Sequence, residues 1–183
     1  MPLGDLLIKQ VVERLQADLP NLRRFATLSP IPGFRDWLLG VLDDAGAEAL
    51  TADDVDLLAP GDPGGAVAAL RSVVAAEEIP PRAVVEPLEP VLTRLVARYL
   101  LDERRGQRAL DPVAHFHLSN GARVERLNWM ANPTTAGWER GLGLMVNYRY
   151  DLRQIERNHD AYVTDGSIEA TDEVRRLLTG GRP

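Results

Sequence analysis

Two of the chain's three histidines, His115 and His117, stand two residues apart in "DPVAHFHLSNGARVERLNWM", just before Asn120-Gly121. An imidazole with an ordinary pKa of about 6.5 exchanges protons near neutral pH. Two imidazoles on one side of a strand also suit a metal ion, once a third protein ligand joins them. That third ligand is hard to find. His159 lies in a polar stretch with no spacing signature, and Arg126 close to His115 would repel a cation. The second chemical reading is general acid–base work on an anionic or carbonyl substrate, to which Ser29, Arg126, Asn128 or Tyr150 would contribute. Against both stands a plain hydrogen-bonded strand residue. Ser29, in "LSPIPGF", is similarly open: a reactive hydroxyl, or a cap for the helix or proline-rich turn that follows. Spacing alone does not place it beside His117.

The elements that would position these residues follow from periodicity. Alternation around Asn120-Gly121 predicts a two-residue hairpin, with Ser119 opposite Ala122, His117 opposite Val124 and His115 opposite Arg126. Strand geometry then puts His115, His117 and Ser119 on one face. A third strand lies in "GLGLMVNYRY", and "RFATL" reads as a short strand that Pro30 and Pro32 terminate. The "GLG" at 141–143 is too short for a phosphate loop. Leu7, Ile8, Val11, Val12, Leu15 and Leu19 recur at helical spacing, with Gly4 or Asp5 as the cap and Pro20 as the stop. Residues 34–106 read as mainly helical, with a Thr51-to-Asp54 capping box and a long periodic helix through Val91, Leu92, Leu95, Val96, Tyr99 and Leu100. A hairpin plus a strand are expected over 111–150, and helices over 151–183, the last starting at Thr171. The fold class is α+β, in one domain spanning 1–183. Trp37, Trp129 and Trp138 read as core or pocket wall.

Composition removes several functions. Net charge is −6 and no basic block occurs, against nucleic acid or an anionic membrane as partner. There is no cysteine, hence no disulfide, thiolate nucleophile or sulfur-bound metal, and a reducing cytoplasm is compatible. No apolar run approaches the roughly 20 residues that span a bilayer, and the opening "MPLGDLLIKQ" reads as neither transit nor secretory signal. A cytoplasmic protein is the expectation. Apolar residues at 45% and charged residues at 26% are ordinary for a globular domain.

"LSPIPGFRDWLLGVL", "LDPVAHFHLSNGARVERLNWMAN" and "GLGLMVNYRYDL" together resemble the catalytic domain of the malonyl-CoA decarboxylase family, over about Leu3 to Leu178. The blocks occur in the family's order. The resemblance implies part of a Gcn5-related acetyltransferase-like mixed sheet with a helical insertion. It also implies conversion of malonyl-CoA to acetyl-CoA and CO2 in fatty acid metabolism, with no metal and no organic cofactor. It places the family's catalytic serine on Ser29, its catalytic histidine on His117 and an active-site tyrosine on Tyr150, and makes His115 a neighbour. Leu3, Gly4, Ile8 and Asn128 fall among its substrate-binding positions. Loss of CO2 from a malonyl thioester leaves an enolate, which a hydroxyl such as Ser29 can stabilise and an imidazole such as His117 can protonate.

Members of that family are longer. They carry an N-terminal helical domain and further strands, then a loop whose backbone N–H groups receive CoA phosphates. Leu3 and Gly4 match that loop; Pro2 stands where the family has an active-site glutamate, and Asp5 would repel phosphate. Three expectations follow: a decarboxylase domain, a catalytically impaired acyl-CoA-binding remnant, or an acyl-CoA-dependent acyltransferase. As partners the resemblance implies malonyl-CoA and acetyl-CoA, and either a second copy or a separate N-terminal segment.

Overall fold

Phe25, Thr27 and Ser29 alternate with Ala26, Leu28 and Pro30 along a strand whose first set is covered and whose second set is exposed. The computed structural model describes residues 3–22 and 24–179, and for residues 3–7 and 9 the backbone only. That strand, β1 (Phe25–Pro30), pairs antiparallel with β5 (Met145–Tyr150), which pairs antiparallel with β4 (Arg123–Asn128). The order is β1-β5-β4, with β5 central. Register sets Ser29 beside Val146, Thr27 beside Tyr148 and Phe25 beside Tyr150. One face therefore carries Thr27, Ser29, Val146, Tyr148 and Tyr150. A β-bulge near Glu125 puts Val124 and Leu127 on that same face, opposite Tyr148 and Val146. A two-stranded ribbon, β2 (Arg104–Arg105) with β3 (Arg108–Ala109), is separate. Among the described residues the one isolated parallel contact is the bridge Val124–Ala170.

Helices account for most of the remainder: α1 (Leu3–Asp18), α2 (Phe34–Asp44), α3 (Ala52–Leu58), α4 (Pro63–Val74), α5 (Arg82–Val85), α6 (Glu89–Leu101), α7 (Pro112–Ser119), α8 (Thr135–Gly141), α9 (Ile155–Asp165) and α10 (Asp172–Leu178). The α+β class and the helical stretch over 34–106 are as expected. Starts follow side-chain chemistry: Thr51 and Asp54 close the capping box of α3, Asp62 with Pro63 opens α4, and Thr171 caps α10. Arg35 ends α4 by donating to the carbonyls of Val74, Ala75 and Ala76. Phe34, Leu38, Leu92, Leu95, Leu100, Trp138 and Tyr148 are fully buried and make one continuous core between the helices and the sheet. Of the tryptophans, Trp138 is core, while Trp37 and Trp129 are partly buried.

Two expectations are corrected. Backbone helix begins at Leu3, ahead of Gly4 and Asp5, so neither is the cap of α1. Its apolar face is only partly used: Val12 is buried and Ile8 half-buried, but Val11, Leu15 and Leu19 are exposed. The larger correction concerns the hairpin. Residues 112–119 are helix α7, so only its second arm is a strand. Asp111 accepts from Ala114 N–H, and Pro112 occupies the first turn, a strong helix start. Asn120-Gly121 is a helix terminus. Gly121 N–H donates to Leu118 O and Ala122 N–H to His117 O, the paired bonds of a Schellman motif, with Gly121 at φ 75°. A Cβ at Gly121 would collide with the Ile155 backbone, so a glycine is required there.

Candidate active site

On a helix, residues two apart point to nearly opposite sides, and α7 separates the two histidines accordingly. His115 is half-exposed and faces α9, where its Nδ1 lies 2.8 Å from the Tyr162 hydroxyl. That hydroxyl also accepts the Ala109 N–H. His117 is 7% exposed and faces the sheet. Its Nε2 lies 3.0 Å from Ser29 Oγ, bridging positions 88 apart in sequence. Its Nδ1 lies 2.6 Å from the Tyr150 hydroxyl. Ser29, itself buried, does not cap α2, whose first residue follows Gly33; its hydroxyl meets Thr27 Oγ1 at 2.9 Å instead. The line Thr27–Ser29–His117–Tyr150 is thus a continuous hydrogen-bonded chain on the covered face of the sheet.

Tyr148 forms the floor. Its ring stacks on the His117 imidazole, with centroids 4.4 Å apart and planes 19° from parallel. Its hydroxyl is buried without a hydrogen-bond partner among the described residues. This dry setting governs protonation. Burial lowers the His117 pKa to about 4, so the ring is neutral near pH 7 and one nitrogen donates while the other accepts. Burial pushes Tyr150 well above the ordinary tyrosine range, which keeps it a phenol able to donate to Nδ1 or accept from it. His115 is also lowered, by burial and then by the charge of Arg108. Beyond Tyr150 a cavity of about 340 Å³ opens, with Gln16, Phe25, Arg149 and Arg153 among its walls.

Other sequence candidates lie elsewhere. Asn128 and Arg126 occupy the opposite face of the sheet: they pair with Met145 and Asn147, and Asn128 donates to Asn147 Oδ1 at 2.9 Å. Asn147 in turn donates to Thr27 O. Asn128 therefore supports the strand that carries Thr27 and does not reach His117. Ile8 packs against the core from α1. Leu3 and Gly4 have helical backbone; the Leu3 side chain and Pro2 lie outside the described residues. His159 Nδ1 donates to Ser119 O at 2.6 Å, so the three histidines go to three different partners. No group of three or more His, Asp or Glu side chains among the described residues could hold a metal ion. Sequence reasoning misses Thr27 and Tyr148 at this site. Thr27 was within reach, since strand alternation puts it beside Ser29.

A buried imidazole held between a serine and a tyrosine, at the junction of a sheet and a short helix, is an arrangement able to exchange protons, in a domain of the α+β class. Comparison with known proteins gives that class a family. The family model for the malonyl-CoA decarboxylase C-terminal domain matches residues 1–182. Mitochondrial malonyl-CoA decarboxylase of Rattus norvegicus is 39% identical over 184 residues, covering 96% of this chain and 37% of the rat protein. That of the goose Anser anser anser is 38% identical, covering 97% and 36%. The crystal structure of malonyl-CoA decarboxylase from Rhodopseudomonas palustris superimposes with a TM-score of 0.79 at 39% identity, over 95% of this chain and 37% of that one. The Agrobacterium vitis structure gives a TM-score of 0.78 at 39% identity, over 98% and 41%. This chain belongs to the malonyl-CoA decarboxylase family, by its C-terminal domain, and spans a little over a third of the length of the relatives it matches. No helix among the described residues is long and apolar enough to cross a membrane.

Proposed function

We propose that this domain decarboxylates malonyl-CoA to acetyl-CoA and CO2, with His117 supplying the proton that replaces the carboxyl group. The observation that carries the reading is the buried Ser29–His117–Tyr150 chain in a member of this family. The C–C bond breaks as CO2 leaves, and its electron pair passes into the thioester as an enolate. Ser29 donates its hydroxyl hydrogen bond to the enolate oxygen, where one well-placed donor is worth about 3 kcal/mol in the transition state. The α-carbon then takes the proton from His117 Nε2.

The low pKa of His117 in the empty site fits this chemistry in a definite way. A neutral imidazole of pKa about 4 has no spare proton at pH 7. A malonyl carboxylate arriving beside it is an opposite charge, and it raises the pKa of the imidazolium. The substrate thus loads the acid that later protonates its own enolate. Tyr150 accepts the Nδ1–H of that imidazolium and holds the ring. Each turnover takes one proton from solvent, and the balance closes: malonyl carboxylate plus proton gives acetyl plus CO2.

Two measurements test this. Acetyl-CoA formation from malonyl-CoA should occur with the wild-type chain and vanish in His117→Gln, while acyl-CoA binding persists. Calorimetry in buffers of different ionisation enthalpy should show proton uptake near pH 7 on binding malonyl-CoA to Ser29→Ala, and none with acetyl-CoA. Acyl-CoA binding without turnover in the wild type would favour the second reading, a catalytically impaired acyl-CoA-binding domain. An acyltransferase would need an acceptor site, and no observation on the Ser29–His117 face favours one. An acetyltransferase-like sheet, cytoplasmic operation and pairing with a further segment or second copy belong to the same proposal; the curated relatives are named as mitochondrial.

A further inference from the structure

The 3.0 Å approach of Ser29 to His117 joins the exit of β1 to the middle of α7, and no covalent neighbour fixes it. One side chain binds these two pieces together. Asp111 has no exposed surface and shares no hydrogen bond with Ser29, His117 or Tyr150. Its Oδ1 accepts the Ala114 N–H at 2.8 Å, in the first turn of α7, and the Val113 N–H is also directed at the carboxylate. From the other side the N–H of Gly33, in the turn that leaves β1 four residues after Ser29, is also directed at the carboxylate. The Tyr99 hydroxyl, on α6, donates to its Oδ2 at 3.4 Å. The packing leaves no room for a side chain at Gly33, where a Cβ would collide with the Tyr99 hydroxyl.

We propose that Asp111 is a positioning residue for the Ser29–His117 pair: by tying the β1 exit turn to the first turn of α7 it sets the reach between Ser29 Oγ and His117 Nε2. The inference rests on the reading of these two residues as the reacting pair. Its mechanical basis is the shortness of α7. Eight residues make little more than two turns, so a displacement of the N-terminus is passed whole to His117, six residues on. The far end is held to α9, where Asn158 donates to Gly121 O and His159 to Ser119 O. A merely structural cap would lower stability when lost and leave the pair as it is.

The test compares Asp111→Asn and Asp111→Ala with Asp54→Asn, a buried carboxylate that closes the capping box of α3 away from the site. Nitrogen-15 NMR of the His117 ring reports its tautomer and titration, and steady-state kinetics report kcat and KM for malonyl-CoA. In the wild type the ring should stay neutral until about pH 4. Asp111→Ala should shift the ring signals, move its titration towards the ordinary histidine value and lower kcat about 100-fold, the cost of a displacement near 1 Å, with KM little changed. Asp111→Asn keeps the size and one acceptor and should move the same quantities less far, which decides the matter if the alanine variant does not fold. Ring signals and kcat that match the wild type, with a melting temperature lowered as in Asp54→Asn, would make Asp111 a plain helix cap and overturn the proposal. Absence of wild-type turnover would sink the decarboxylase reading alone, because the ring signals need no substrate.

Discussion

Acidification should loosen the wild-type fold more than it loosens a His117→Gln variant. The native His117 has a pKa of about 4, against an ordinary value of about 6.5 in the unfolded chain. Between those values the unfolded state binds the extra proton, so stability falls as pH falls. With these two pKa values, linkage gives a loss of about 2 kcal/mol between pH 7 and pH 5, and about 3 kcal/mol by pH 4. Glutamine fills the site with amide groups that can still reach Ser29 and Tyr150, and it does not titrate. Urea unfolding of both proteins at pH 7, 6 and 5, plotted as the difference in stability, isolates the His117 contribution. His115, lowered in the same sense, and Asp111, raised by burial and therefore acting in the opposite sense, are present in both chains and cancel. A difference that stays flat from pH 7 to pH 5 would mean that the native ring titrates like a free histidine. The dry, stacked environment assigned to it would then be wrong.

Tyr150→Phe keeps the ring but strips the partner from His117 Nδ1; a buried acceptor or donor left alone costs about 1–3 kcal/mol, visible in denaturant melts, and kcat should fall with the lost orientation of the imidazole. His115→Asn should leave turnover nearly unchanged and cost about 1 kcal/mol of stability through Tyr162, so a strongly impaired variant in the same assay would mean that the wrong histidine has been chosen. Arg94→Met breaks a buried pair with Asp54, in which the side chains are 11% and 8% exposed, and should destabilise by about 3–5 kcal/mol in thermal or urea unfolding. Gly121→Ala should unfold at lower denaturant concentration, since it strains a left-handed φ of 75° and meets the Ile155 backbone.

Much of the scaffold is legible because local signals and burial agree in it. Leu92, Leu95, Val96 and Leu100 recur at helical spacing and are fully buried in α6, and Thr27 and Ser29 alternate with exposed Ala26 and Leu28 in β1. The stretch before Asn120 is different. Asn-Gly suits a hairpin turn and a helix end equally, because both need a residue at positive φ. Asp111-Pro112, the stronger signal for a helix start, decides between them once it is weighed. The candidate site was legible as residue types only. Ser29 and His117 meet through long-range pairing of β1 with β5 and docking of α7, which no local period encodes. Asn128, a polar residue in the same suggestive block, is turned to the other face by the register of β4, which the block itself does not reveal.

The pinning of α7 at both ends makes its length a functional variable. Between the Asp111 cap and the Gly121 terminus the chain has a fixed number of residues, and each residue indexes the helix by about 100°. Deleting or inserting one residue there would not merely shorten or lengthen a surface segment. It would rotate His117 away from Ser29 while leaving both anchors satisfied, producing a folded domain whose imidazole faces the wrong way. This segment behaves as a counted thread, in which the tally of residues sets the meeting of Ser29 and His117 as much as their identity does.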